Sequence, residues 1–194
     1  MAGGGAVNRG PHTGSGTEAS GLDLNGPQRK SILSNFDFAE IARLQIPPAS
    51  GIADYAIFDR DDCLAVHGSL PSFTKSFDPE TVRALVDVFI QATAPSVTEQ
   101  ELKDNSREIQ LSPGGKKFTM SGPRGGQYPQ EVATLHEQDQ QEGEGEVYFV
   151  APTATLLLVF KAAKGADVQY QSNEKQGVWT AIRSFAFALT EKGL

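Results

Sequence analysis

The chain has 194 residues, a hydrophobic content of 39%, eleven Phe and a formal net charge of −7. That length supports one domain with a real core, and the negative charge argues against a general nucleic-acid or anionic-membrane binder. No run reaches the ~18 apolar residues of a membrane span. A single cysteine, Cys63, and three scattered histidines, His12, His67 and His136, argue against an internal disulfide and a cysteine-rich zinc site.

Residues 1–30 are rich in Gly, Ser, Asn and Pro and nearly free of large apolar side chains. Such a segment does not offset its own ordering entropy and is expected to be a flexible tail. It has no apolar run for a secretory signal, and Met-Ala at the start does not meet the myristoylation rule. The expectation is a cytoplasmic, soluble, metal-free protein whose domain spans 31–194.

The stretch NFDFAEIARLQIPP predicts a short helix, capped by Asn35 or Asp37, with Phe38, Ile41 and Ala42 on one face and Pro47-Pro48 as a stop. ADYAIFD and CLAVHGS read as a hairpin turned by Arg60-Asp61-Asp62. FDPETVRALVDVFIQAT is the clearest helix: Asp78 caps it, Pro79 opens it, and Val82, Leu85, Val86 and Phe89 recur at helical spacing. REIQLS and KKFTMSG flank a Pro-Gly-Gly turn as a second hairpin, and residues 123–146 read as a polar insertion loop.

This loop ends in HEQDQQEGEGE, which has five carboxylates and no Lys or Arg. EVYFVA and ATLLLVFKAA form a third strand pair; the second is apolar at nearly every residue, as a strand covered on both faces would be. GVWTAIRSFAFALTEKG closes the chain as a helix with Val178, Ile182, Phe185 and Leu189 on one stripe and Gly193 at its stop. The order predicts a three-layer α/β architecture of the α+β type around one core. A central antiparallel sheet has the N- and C-terminal helices on one face and the middle helix on the other.

No enzyme constellation emerges. GGKKF lacks the glycine spacing and hydroxyl of a phosphate loop, GPRGG lacks dinucleotide spacing, and no nucleophile elbow occurs. Cys63 and His67 would share a face of one strand, yet a half-buried thiol beside a surface imidazole is the plainer reading. The Asp59–Asp62 run fits a turn whose carboxylates bond their own backbone better than a cation site. Trp179, on the inner stripe of the last helix, reads as core rather than as a ligand stacker. The residues point to a non-catalytic binding or scaffolding module with no cofactor and no metal.

Three stretches resemble profilin, the small actin-monomer-binding protein: YAIFDRDDCLAVHGSLPSF, LSPGGKKFTMSG, and TATLLLVFKAAKGAD with AIRSFAFALTEKGL. The resemblance covers roughly residues 52–194 apart from the insertion. It implies a profilin-like domain and actin-monomer binding through Lys117, Thr119, Lys161 and Lys164. It also implies loss of polyproline binding: Ala65, Ala188 and Leu194 stand where profilins carry aromatic or His side chains, leaving Phe36 and Phe38 as the nearby aromatics. The acidic run lies in or near the basic half of the implied actin contact, where it would slow association with an acidic partner. A profilin-fold or roadblock-like scaffold subunit of a larger cytoskeletal complex, for example ciliary or axonemal, is the alternative. Either reading implies a cytoskeletal location, the second a cilium or flagellum.

Overall fold

The computed structural model describes residues 33–92, 107–111, 115–124, 132–138, 145–169 and 177–194. The tail expected at 1–30 lies outside the described residues. In chain order the elements are α1 (Phe38–Gln45), a 3-10 turn (Pro48–Ser50), β1 (Ile52–Asp59), β2 (Ala65–Gly68), α2 (Pro71–Thr74) and α3 (Pro79–Ala92). These are followed by β3 (Arg107–Gln110), β4 (Lys117–Arg124), β5 (Val132–Glu137), β6 (Val147–Pro152), β7 (Leu156–Ala162) and α4 (Val178–Thr190).

Local chemistry sets the boundaries. Asp37 caps α1, its Oδ1 accepting from the Glu40 N–H at 2.9 Å, and Asp78 does the same for α3 through the Thr81 N–H at 2.7 Å. Each cap satisfies an N–H that has no partner within the helix. The β1–β2 turn is held by the Asp59 carboxylate, which accepts from the N–H groups of Asp61 (2.8 Å) and Asp62 (3.1 Å). Those acidic residues therefore build a turn. Among the described residues, no group of three His, Cys, Asp or Glu is placed to hold a metal ion.

The strands form one seven-stranded sheet in the order β2-β1-β7-β6-β5-β4-β3, and every pairing is antiparallel. Hairpins join β1 to β2, β3 to β4 and β6 to β7, as their turn residues predict. β7 lies between β1 and β6 and is covered on both faces, so Leu156 through Phe160 are fully buried. That is why its sequence shows no alternation. Each such side chain contributes about 1.5–3 kcal/mol through removal from water.

The sheet splits the apolar interior into two layers rather than the single core expected. Val82, Leu85, Val86 and Phe89 of α3 pack with Leu157, Val159, Phe118 and Leu135 on one face. On the other, Phe38 and Ala42 of α1 and Ile182, Phe185 and Leu189 of α4 pack with Leu158 and Phe160. The two-faced helix arrangement is as expected. The division follows from the pleat of β7, whose alternate residues feed opposite layers.

Two expectations are corrected. Residues 123–146 are not one loop, because β5 (Val132–Glu137) runs through them and pairs with both β4 and β6. Its Val132, Ala133 and Leu135 are buried, but Gly, Gln and Glu on both sides of this six-residue run mask its pattern. Cys63 and His67 do not share a strand face either. Cys63 sits in the turn at φ 57°, buried with the α3 layer, whereas His67 on β2 stacks on Phe38 of the opposite layer.

Candidate functional site: the charged end of the sheet and the aromatic layer under α1

The strand directions bring the start of β4, the end of β5, the start of β6 and the end of β7 to one end of the sheet. Lys117, Thr119, Lys161 and Lys164 all belong to this end, but not to one face. Thr119 pairs with His136, which pairs with Val147, a residue packed against the α1/α4 layer. Thr119 therefore faces the α4 side, and so does Lys117, which alternates with the buried Phe118. Lys161 pairs with Tyr148 of the α3 layer and faces the opposite way. Lys164 is exposed in the loop after β7.

Lys117 is exposed, whereas Thr119 is half-buried and its Oγ1 accepts from Gln138 Nε2 at 3.0 Å. The loop carrying Lys164 is fastened to the 3-10 turn by the Ala163 N–H donating to Gly51 O at 2.7 Å. The same loop meets α4, where Trp179 Nε1 donates to Val168 O at 3.0 Å. Trp179 is thus core, edge-on to Phe149.

Two carboxylates of the acidic run belong to an ionic clasp on the α3 face. Lys116 Nζ reaches Glu137 Oε1 at 3.0 Å and Glu146 Oε2 at 3.3 Å. Lys161 Nζ pairs with Glu146 Oε1 and lies over the Tyr148 ring, 5.8 Å from its centroid. The Tyr148 hydroxyl donates to Glu146 Oε2 at 2.8 Å, and the Glu146 N–H donates to Glu137 Oε2 at 2.9 Å. Burial pushes the Glu146 carboxyl up, but the bonds from Lys161, Tyr148 and Lys116 outweigh it and hold the group below its ordinary value. Burial and the Glu146 carboxylate push the Tyr148 phenol far above its ordinary value. The Glu137 hydrogen bond holds the Lys116 ammonium protonated to higher pH. The clasp seals the β5–β6 hairpin at its base; Asp139, Glu142 and Glu144 lie outside the described residues.

The second assembly is aromatic. Phe36 packs on Phe38 (4.8 Å between centroids), Phe38 stacks on His67 (5.9 Å, 20°), and His67 neighbours Tyr55 (5.8 Å). Tyr55 in turn meets Phe185 of α4 at 5.8 Å. The Tyr55 hydroxyl and His67 Nε2 are 3.0 Å apart. Phe38 is 3% exposed, so of the two predicted polyproline residues only Phe36 keeps an accessible face. Sequence reasoning missed Tyr55 and His67. Their hairpin register carried the signal: His67 pairs with Ile57, and Tyr55 lies two residues from Ile57 on the same face.

Solved structures align with this chain over most of its length. Mouse profilin IIa, in complex with a double repeat from the FH1 domain of mDia1, aligns with a TM-score of 0.52 at 12% identity, over 82% of this chain and 100% of that one. Rat profilin 2a aligns with a TM-score of 0.48 at 14% identity, over 80% and 95% of the two chains. No family model and no curated protein sequence matches the chain. At the first of these alignments the likeness is one of fold: the chain is a profilin-like α+β domain. Among the described residues no helix is long and apolar enough to cross a membrane.

Proposed function

We propose that the chain is a non-catalytic, profilin-like cytoskeletal regulator that binds monomeric actin through the charged end of its sheet. Lys117, Thr119 and Lys164 make the contact, and Lys161 braces it from the other face. The observation that carries this reading is convergence. Lys117 and Thr119 at the start of β4 and Lys164 in the loop after β7, positions the profilin resemblance assigns to actin, lie toward the same end of the sheet.

The local charge supports the same reading. Glu137 and Glu146 are engaged by Lys116 and Lys161, so these two carboxylates of the acidic run do not oppose an acidic partner. The exposed cation of Lys117 remains to meet it, and such charges act mainly on the association rate.

Proline-rich ligands are not part of the proposal. Phe38 is buried, and the Tyr55 hydroxyl is engaged by His67, so the aromatic layer is closed by its own contacts. An assembly assay with pyrene-labelled actin monomers tests the reading: the protein slows spontaneous assembly in proportion to its concentration. Unchanged assembly at an excess of protein over actin overturns it, and favours a profilin-fold scaffold subunit of a larger cytoskeletal complex.

A further inference from the structure

α1 packs on α4 and on the sheet, and among its sheet contacts is one titratable ring. His67, on the edge strand β2, has Phe38 of α1 stacked on one side and the Tyr55 hydroxyl of β1 at its Nε2. The Tyr55 phenol is raised by burial and stays protonated at physiological pH, so it donates to Nε2 when the neutral imidazole carries its proton on Nδ1. Protonating His67 turns that acceptor into a donor and places a charge in a half-buried aromatic layer.

The groups facing the ring are few. On α1, Phe38 stacks on it, and the Asp37 carboxylate attracts its charged form. On β1, Tyr55 bonds it, and Phe185 of α4 packs on Tyr55. Burial outweighs Asp37 and pushes the imidazole below its ordinary value.

We propose that His67 is a proton-operated latch: the neutral ring holds α1 on the sheet, and the protonated ring favours a state in which α1 has lifted and Phe38 is uncovered. The sign follows from linkage. A histidine whose docked form resists protonation contributes docking free energy that is complete above the free imidazole value. That contribution decays as pH falls from the free value toward the docked one, then stays constant. The ratio of lifted to docked α1 rises by up to about tenfold for each pH unit separating the two values. This device uses neither Lys117 nor Thr119: β2 is one edge strand of the sheet, and β4 lies next to the other edge.

Amide hydrogen exchange on the full chain tests it, followed by NMR from about pH 7.5 to about pH 5.5, the range in which histidine titrates. After correction for intrinsic exchange, the Ile41 amide of α1 and the Ile46 amide that caps its end on Ala42 O lose protection in step with the His67 ring titration, while α3 amides keep theirs. His67→Phe keeps the stack and makes α1 protection independent of pH. Tyr55→Phe keeps the fold's aromatic volume, removes the donor and moves the midpoint of the α1 response upward. Unchanged α1 protection in the natural chain while His67 titrates overturns the latch. So does an undiminished pH response in His67→Phe, or a Tyr55→Phe midpoint that does not move.

Discussion

Glu146 links three side chains. It accepts from Lys116, Lys161 and Tyr148 while its own N–H donates to Glu137. About 29% of its side chain is exposed, so the pair with Lys161 is only partly screened, and a coupling of about 1 kcal/mol is expected. A double-mutant cycle of Glu146→Gln and Lys161→Met, read by urea unfolding, should return that coupling; additive effects would mean that the clasp is decorative. The pH dependence has a definite sign. A carboxyl held below its ordinary value stabilises the fold above that value and loses the contribution as pH falls through the folded one. Stability should therefore begin to drop below about pH 4.3, the ordinary glutamate value, and the drop should shrink in Glu146→Gln. For Lys116 the sign is opposite: its contribution is present at neutral pH and is lost in alkali as the ammonium deprotonates.

At the scale of elements, helices and hairpins are held by short local rules. Replacing the α3 cap, Asp78→Ala, should cost about 1 kcal/mol in thermal or urea unfolding; no loss would place the cap elsewhere. Gly51 has φ 78°, and a Cβ there would sit 2.9 Å from Val178 Cγ2 at the start of α4. Gly51→Ala combines a left-handed backbone with that clash and should destabilise the protein by roughly 1 kcal/mol or more. An unchanged melting temperature would contradict this.

The same rules explain what could be read from the sequence. The α3 cap, the Asp59 turn and the unbroken apolar run of β7 are local signals, and each structure matches its sequence reading. β5 escaped notice because Val132–Glu137 is six residues long and flanked by Gly, Gln and Glu. The clasp escaped because Lys116, Glu137, Glu146 and Lys161 are brought together only by the strand register. The resemblance located the charged end, but pleat direction, which sends Lys161 to the face opposite Lys117 and Thr119, depends on register too.

At the scale of the molecule, the sheet separates two regions of different character. At one end charged strand termini meet the loop of Lys164 and the start of α4. Beneath α1, an aromatic layer joins the first helix to β1, β2 and α4. The acidic run, suspect at first as a barrier to an acidic partner, spends Glu137 and Glu146 on closing the β5–β6 hairpin. The proposed actin contact then depends on the cation left exposed at the start of β4.

The most direct measurement compares the natural chain with Lys117→Glu in a pyrene-actin assembly assay at low and moderate salt. The account predicts that the natural chain slows assembly and that Lys117→Glu weakens the effect by roughly threefold to tenfold, about 0.7–1.4 kcal/mol, with the larger loss at low salt. Assembly that is insensitive to both proteins, or equally slowed by both, would contradict it.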